Sequence, residues 1–390
     1  MENIVYLDNN GTTRTAPEVL AFMRENAEQY GNASSMHSLG RDASAGVQWA
    51  REQLATLLGG VDPREIYFTS GATESNNLVL NTCRELIEDG SKRNRIVSTT
   101  IEHPATIETL KYFGRKGIKY DLCPVDRIGR VDLKALEALM GPDVLLVSVM
   151  TGNNETGTIQ PVKEASELAH KCGAYFHTDA TQAIGKIPVS APEIKADYLS
   201  LSGHKFYGPK GIGALYVRKG CPLKPLIHGG HQELGLRPGT YNNQAIYGIG
   251  KAAELAYQNI DEERKTLWEM RERLRKGIQA SVADTYVNGS NDPELCLPGT
   301  LDISFARCEG ESILLYLDLE GIEVSTGSAC ATGSLEPSYV IMAMGTDVEL
   351  AHSSIRFSFG RYNTMEEVEY VLEKLPPIIE RIRKMSTRKA

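Results

Sequence analysis

The sequence has no long hydrophobic run and no excess of positive charge, and both absences exclude classes of protein. Its longest apolar stretch, at 144–150, is far shorter than the roughly 18 residues that a membrane span requires. The N-terminus lacks the basic and apolar regions of a secretory leader. With 50 acidic and 42 basic side chains, the formal charge is −8, which offers no field that attracts nucleic acid or an anionic membrane. We therefore expect a cytoplasmic protein that binds neither nucleic acid nor membranes.

Paired cysteine motifs and nucleotide-binding motifs are lacking as well. The seven cysteines are scattered and none form a C-x-x-C pair, so we expect reduced thiols and neither a zinc site nor a disulfide framework. No G-x-x-x-x-G-K-[ST] motif is present, and the glycine-rich stretch at 208–213 precedes a predicted strand instead of following one. Nucleotide cofactors are therefore disfavoured, and no metal site is predicted.

What the sequence does contain is a regular alternation of β-rich and helical segments. The pattern from about residue 60 to 215 predicts an α/β fold with a mostly parallel, doubly wound sheet covered by helices on both faces. Strands are predicted at 65–69, 95–99, 144–149, 174–178, 198–201 and 213–217, and helices at 74–89, 105–115 and 162–171.

The second half of the chain has a different pattern. Helical periodicity at 243–281 predicts one connecting helix or a helix pair. Strand-like runs at 299–305 and 354–359 and helical runs at 311–320 and 365–385 predict a smaller α+β unit. The length of 390 residues suits two or three domains. We predict a large domain at 12–260 and a small domain formed by 1–11 and 261–390.

Polar residues follow nearly every predicted strand of the large domain, at the edge where an open α/β sheet binds ligands. The run at 70–74 places small residues at the start of a helix, where free N–H groups and the helix dipole favour a phosphate. An ordinary capped helix start explains the same residues and is the favoured explanation for this motif alone.

A carboxylate and a lysine follow two neighbouring strands. Asp179 follows one predicted strand, and Lys205 follows the next. Lysine is seldom buried without a partner, and its amine can form a Schiff base with an aldehyde cofactor. Pyridoxal 5′-phosphate (PLP) requires such a lysine, an acidic partner for its pyridinium nitrogen and a phosphate cradle. An exposed Lys205 and a capping Asp179 are the simpler alternative for either residue taken alone.

The sequence as a whole resembles the cysteine desulfurases of the NifS/IscS type, which are PLP enzymes related to class-V aminotransferases. The likeness covers almost the whole chain and rests on ten ordered motifs: YLDNN at 6–10, GN and SSMH within 31–37, TSGATESN at 69–76, EHP at 102–104, NNETG at 153–157, HTDATQ at 177–182, SGHK at 202–205, RPGT at 237–240, STGSAC at 325–330, and RFSFGR at 356–361. It implies the PLP-dependent transferase fold of type I, with the small domain carrying the catalytic cysteine.

The resemblance also implies roles around the cofactor ring. Lys205 is the Schiff-base lysine, Asp179 the partner of the pyridinium nitrogen, and Gln182 the donor to the phenolic oxygen. His103 stacks over the ring and assists proton transfer; a core histidine is the alternative explanation for it.

Other roles concern the cofactor's phosphate and the substrate. Residues at the phosphate are Ala72, Thr73, Ser202 and His204, and Thr240 reaches it from the neighbouring subunit, which implies a homodimer. Arg356 binds the substrate carboxylate, with Asn154 and Asn10 beside it, and Asn154 also contacts the cofactor. A structural ion pair is the alternative for Arg356, because a guanidinium in an apolar strand needs a partner.

Cys330 differs from the other cysteines because small residues surround it, so we predict a mobile loop and assign it as the nucleophile. The implied reaction converts L-cysteine to L-alanine, leaves a persulfide on Cys330, and supplies sulfur to an acceptor such as an iron–sulfur scaffold. Three alternatives remain. They are selenocysteine cleavage, a different reaction of a class-V PLP enzyme, and a non-enzymatic role in sulfur relay or docking.

Some positions depart from the family pattern. His231 and Leu234 stand where a glycine and an arginine are usual, and Gly11 replaces a common alanine. The changes at His231 and Leu234 lie in the loop that the resemblance places at the dimer partner, and a surface histidine is the simplest explanation for His231. The basic tail at 381–389 is either a docking segment or a solvated helix end.

Overall fold

The computed structural model describes residues 4–327 and 336–385. Its strands are β1 Val5–Tyr6, β2 Ile66–Thr69, β3 Arg95–Thr99, β4 Lys119–Cys123, β5 Val144–Ser148, β6 Tyr175–Asp179, β7 Tyr198–Ser202, β8 Gly213–Val217, β9 Thr285–Asn288, β10 Thr300–Phe305, β11 Ile322–Glu323 and β12 Ser354–Ser358. Every strand predicted from the sequence is present, with bounds that differ by at most one residue.

Helices cover the sheet and connect its strands. They are α1 Pro17–Glu25, α2 Ser38–Leu57, α3 Ala72–Glu88, α4 Pro104–Gly114, α5 Leu133–Leu139, α6 Val162–Cys172, α7 Ala191–Ile194, α8 Asn243–Ser281, α9 Gly310–Asp318, α10 Tyr339–Ala343, α11 Val348–His352 and α12 Met365–Met385. Short 3₁₀ turns lie at Pro63–Glu65, Gly203–Lys205 and Gln232–Gly235.

The central sheet has seven strands in the order β2-β8-β7-β6-β5-β3-β4. The pairs among β3, β4, β5, β6 and β7 are parallel, whereas β8 runs antiparallel to both of its neighbours. The prediction of an α/β fold with a mostly parallel sheet is therefore confirmed. Because the parallel strands share one direction, their carboxyl ends meet at one edge of the sheet.

Both faces of this sheet are buried. Side chains alternate along β8, so that Ala214 and Tyr216 join one hydrophobic cluster while Leu215 and Val217 join another. The first cluster includes residues of α2 and of the first half of α8, and the second includes residues of α3 and α4. This two-sided burial is the expected arrangement for a doubly wound sheet.

A separate hydrophobic cluster lies in the second half of the chain, between the three-stranded sheet β12-β10-β9 and parts of α8, α9 and α12. The pattern at 243–281 forms one continuous helix of 39 residues, not a pair. Val5 and Leu7 from the N-terminus belong to this cluster. The division at residue 260 stays a prediction, and it falls within α8.

Across 4–327 and 336–385, no helix is both long and apolar enough to span a membrane.

Candidate active site

A cavity of about 590 Å³ lies at the carboxyl ends of the parallel strands. Residues that follow β2, β3, β5, β6 and β7 line it, together with the N-terminal segment and β12. The predicted site residues that it brings together are Asn10, Ala72, Thr73, His103, Asn154, Asp179, Gln182, Ser202, His204, Lys205 and Arg356.

Two predicted residues are not among those lining the cavity. Thr240 is exposed and lies outside the cavity of its own chain. Cys330 lies outside the described residues. Gly327, three positions before it in the sequence, does line the cavity.

Lys205 is held at the end of the short turn that follows β7. Its Nζ donates hydrogen bonds to the carbonyl oxygens of Asn10, at 2.5 Å, and Gly11, at 2.7 Å. The side chain is half-buried and lines the cavity. The amine is thus in the cavity and oriented by the N-terminal segment of the chain.

Asp179 is the last residue of β6 and is buried. Its Oδ2 accepts a hydrogen bond from Nδ2 of Asn76, at 2.6 Å, and its Oδ1 accepts one from the backbone N–H of Thr181, at 3.0 Å. These two donors fix the orientation of a carboxylate that also lines the cavity.

His103 caps α4 and lines the cavity. Its Nδ1 accepts a hydrogen bond from the backbone N–H of Ala105 at 3.1 Å, and Pro104 fills the first helical position, where no N–H is needed. Burial lowers the pKa of His103, so the ring is neutral at neutral pH. Because Nδ1 is an acceptor, the neutral ring carries its proton on Nε2.

The start of α3 forms a cradle beside Ser202 and His204. Gly71 caps the helix with φ 156° and ψ 176°, a conformation essentially restricted to glycine. A Cβ atom at Gly71 would stand 3.5 Å from Ser202 Oγ, so the glycine leaves open space between them. The first N–H groups of a helix have no intrahelical acceptor and attract anions.

His204 contributes a ring edge to this cradle. Its Nδ1 lies 3.0 Å from the hydroxyl of Thr12. Burial, with the nearby charge of Lys205, lowers the pKa of His204 to about 4, which keeps the ring neutral at neutral pH. A neutral imidazole can still donate one hydrogen bond to an anion.

Arg356 extends from β12 into the cavity, and its side chain is buried. Nη2 forms an ion pair with Oδ1 of Asp8 at 2.6 Å, and Nη1 donates to the carbonyl oxygen of Asn154 at 2.9 Å. Its Nε has no partner among the described residues. Arg356 thus makes the ion pair that the sequence left open as an alternative, and it does so in the cavity wall.

The chain matches the family of class-V aminotransferases over residues 5–371. It is 45% identical over 390 residues to the cysteine desulfurase IscS of Dictyoglomus turgidum, covering 100% of this chain and 98% of that protein. It is 43% identical to the cysteine desulfurase NifS of Azotobacter vinelandii, covering 98% of this chain and 94% of that protein. A solved structure titled NifS-like protein superposes with a TM-score of 0.90 at 42% identity, covering 97% of this chain and 100% of that one.

The chain belongs to the aminotransferase class-V family. Within this family of PLP-dependent enzymes it groups with the NifS/IscS-like cysteine desulfurases. The resemblance predicted from the sequence motifs is therefore confirmed, as are the fold of type I and the prediction that the protein is an enzyme.

The residues of the cavity fit the cofactor of this family. Two buried side-chain oxygens, Asn154 Oδ1 and Thr181 Oγ1, have no hydrogen-bond partner among the described residues, and both residues line the cavity. Unpaired buried polar atoms are uncommon and are satisfied when a polar ligand binds. The amine, the carboxylate and the anion cradle complete the set of groups that PLP requires.

Several residues of the site were missed by the sequence analysis. Asp8, Thr12 and Asn76 contact predicted site residues, and Lys186 donates hydrogen bonds from its Nζ to side chains of Asn10 and Gln182. A lysine within the otherwise apolar run at 183–187 is the one signal that could have pointed to Lys186.

The unusual loop before Thr240 has a strained backbone. Glu233 and Leu234 have φ angles of 46° and 59°, which disfavour residues with a Cβ. The side chain of Glu233 is buried in an ion pair with Arg51 at 2.6 Å, whereas Leu234 is 81% exposed. His231 is exposed, as predicted.

The basic C-terminal helix packs on its own chain as far as it is described. The guanidinium of Arg381 lies 4.9 Å from the centre of the Tyr316 ring, and Nε of Arg383 donates to the carbonyl oxygen of Ala306 at 3.1 Å. Residues 386–389 of the predicted docking segment lie outside the described residues.

Glu102, next to His103, is expected to make the stability of the protein depend on pH. Burial raises its pKa from 4.5 to about 8. Between these two values the native carboxyl keeps a proton that the unfolded chain has lost, so the free energy of unfolding falls as the pH rises. Each pKa unit corresponds to about 1.4 kcal/mol. The loss continues up to pH 8 and then stops.

Urea denaturation of the protein and of Glu102→Gln at pH 5.5 and pH 8.5 measures this effect. We expect the variant to gain stability relative to the unmodified protein on going to the higher pH, because its amide cannot ionise. Glu88→Gln, at an exposed position, is the matched control. A difference between protein and variant that is equal at both pH values would contradict the prediction.

Proposed function

We propose that this protein is a PLP-dependent cysteine desulfurase that converts L-cysteine to L-alanine and passes the sulfur to Cys330 as a persulfide. The observation that carries this proposal is the convergence of Lys205, Asp179 and His103 on one cavity that Arg356 also lines. Family membership supports the type of reaction, and the lining of the cavity supports the assignment of individual residues to it.

The cofactor, when bound, supplies an electron sink for the carbanion that forms at the substrate Cα. We assign the holding of the cofactor and the proton transfers to residues of the chain. Lys205 Nζ would hold the cofactor aldehyde and, once the substrate amine has displaced it, would accept the proton from the substrate Cα. Asp179 would hold the protonated pyridinium nitrogen, and His103 would be available to donate a proton from Nε2.

Substrate binding is assigned to the other side of the cavity. The guanidinium of Arg356 forms two parallel hydrogen bonds with the substrate carboxylate, in competition with Asp8. Asn154 is assigned to the same carboxylate through its side-chain NH₂ group, whereas its unpaired Oδ1 is an acceptor and fits a donor group of the ligand.

We also assign the cradle formed by Ala72, Thr73, Ser202 and His204 to the phosphate. Thr240 of a second copy completes it in a homodimer. The exposure of Thr240, and its position outside the cavity of its own chain, support a contact made across subunits. The six described cysteines are free thiols, which supports a reducing compartment such as the cytoplasm. The acceptor of the sulfur is proposed to be a protein such as an iron–sulfur scaffold.

The direct test is product formation by the purified protein in the presence of a reductant. With L-cysteine we expect alanine and sulfide in equal amounts, and with L-serine neither product, because serine presents no sulfur to the thiolate. The absorbance of the lysine-bound cofactor is recorded in the same samples. If the cofactor is bound and no alanine forms, cysteine is the wrong substrate, and L-selenocysteine is tested next.

A further inference from the structure

Lys186 is a buried lysine that contacts two residues lining the candidate site. It lies in the turn after β6 and is 8% exposed. Its Nζ donates one hydrogen bond to Gln182 Oε1 and another to Asn10 Oδ1, both at 2.8 Å. Lys186 forms no ion pair within the part of the chain that the structure describes. Lysine is almost never fully buried unless it is paired, so its retention here requires a reason.

The contacts of Lys186 form a closed cycle. Gln182 Nε2 donates to the backbone oxygen of Asn10 at 2.9 Å, and Lys186 connects the side chains of the same two residues. If the amide of Gln182 were flipped, its NH₂ group would face the amine and its oxygen would face the Asn10 carbonyl. The two oxygens at Asn10 would repel each other, and the amide would lose the hydrogen bond that Lys186 donates to it, so the observed orientation is the one that satisfies both Asn10 and Lys186.

This orientation matters for the cavity. Nε2 of Gln182 carries two protons, and the bond to Asn10 uses one. The second proton has no acceptor among the described residues and is available to a ligand in the cavity that Gln182 lines. The same carbonyl oxygen of Asn10 also accepts a hydrogen bond from Lys205 Nζ. The cycle therefore connects Lys186 to two residues of the site without placing Lys186 in the cavity.

Lys186 is the donor in both contacts, and two of its N–H groups match two amide oxygens. Burial, together with the charges of Lys205 and Arg356, lowers the pKa of Lys186 well below its usual value. A methionine of similar length would fill the same space with no buried amine, so packing alone does not account for the lysine.

We propose that Lys186 is a positioning residue that fixes the side-chain amide of Gln182, so that Nε2 donates into the cavity. The inference rests on the proposed function, because the ligand that receives this hydrogen bond is the ring oxygen of the cofactor. Lys186 itself touches neither cofactor nor substrate.

A double-mutant cycle on the cofactor-loaded protein tests this inference, with Lys186→Met, Gln182→Ala and both together. The readouts are the absorbance maximum of the bound cofactor, the pH at which it titrates, kcat and KM. We expect Lys186→Met to shift the maximum and its titration and to lower kcat about tenfold or more, with KM changed less than about threefold. In the Gln182→Ala background the same substitution should change each quantity less than about twofold.

The controls separate positioning from stability. Lys163→Met, at an exposed position of α6, should leave every readout unchanged. Near-ultraviolet circular dichroism checks folding. If Lys186→Met does not fold, Lys186→Gln, which keeps an NH₂ donor on a shorter side chain, takes its place in the cycle and should shift the absorbance maximum less than Gln182→Ala does.

Two outcomes overturn the inference. One is a normal spectrum and kcat for Lys186→Met; the other is an effect that persists in full when Gln182 is absent. Failure of the proposed function would look different, because the unmodified protein would then bind no cofactor or release no sulfide from cysteine.

Discussion

Lys205→Ala is expected to lower the rate of alanine and sulfide formation by about a thousandfold or more. The structure places Nζ of this residue in the cavity, held by two backbone carbonyls of the N-terminal segment. In the proposed reaction this one amine both binds the cofactor and moves the Cα proton. Its removal therefore affects two steps at once.

The measurement is kcat for both products, together with the absorbance of the bound cofactor, which should lose the band that depends on the lysine linkage. Lys210→Ala is the matched control, because Lys210 also lines the cavity but is exposed. We expect this control to retain kcat within about threefold, as is usual for surface substitutions away from the reacting atoms. Turnover by Lys205→Ala within about tenfold of the unmodified protein would remove Lys205 from the mechanism.

The elements that the sequence predicted are those with a strong local pattern. The strands at 144–148 and 198–202 are buried throughout because both faces of the sheet are covered, and their runs of apolar and small residues indicate their bounds. By contrast, β4 was not predicted. It is an edge strand that pairs only with β3, most of its residues are partly exposed, and its sequence KYDLC has no continuous apolar run. Its identity as a strand depends on a neighbour and not on its own pattern.

The direction of a strand within the sheet could not be predicted from the sequence either. The strand at 213–217 was predicted within one residue, but its antiparallel insertion between β2 and β7 was not. Periodicity reports which side chains are buried and contains no information on strand direction.

Within the site, the sequence could predict residues that follow strands but not the contacts between distant segments. Lys205, Asp179 and His103 lie at or just after the carboxyl ends of strands of one sheet, so their convergence was foreseeable from topology. The ion pair of Arg356 with Asp8 joins residues 348 positions apart, and the bond of Lys186 to Asn10 spans 176 positions. Such pairs are set by how the N-terminal segment crosses the finished sheet, and no local signal specifies them.

The choice of Cys330 as the nucleophile now has support from the other cysteines. None of the six described thiols lines the cavity. Burial raises the pKa of Cys83 to about 12 and that of Cys221 to about 11, so neither forms a thiolate readily at neutral pH. Because the thiolate is the nucleophile, such thiols are inert.

The described chain on either side of the segment that carries Cys330 is anchored beside the cavity. Gly327 lines the cavity itself. After the segment, Ser338 Oγ donates to Glu155 Oε2 at 2.5 Å, and the hydroxyl of Tyr339 donates to the carbonyl oxygen of Glu102 at 2.6 Å, next to His103. These contacts hold Gly327, Ser338 and Tyr339 beside the site. They support the proposal that Cys330 acts on a ligand bound in the cavity.

Cys330→Ala is therefore expected to separate the two halves of the reaction. The variant should bind the cofactor and show the unmodified absorbance, because Lys205, Asp179 and the phosphate cradle are intact, while sulfide formation falls about a thousandfold or more. Cys172→Ala, which removes a partly buried thiol outside the cavity, should stay within about twofold of the unmodified protein. Sulfide production by Cys330→Ala within about tenfold would assign sulfur removal to another group. Loss of cofactor absorbance would instead mean that Cys330 supports the cofactor site, and the two roles assigned to Lys205 and Cys330 would no longer be separable.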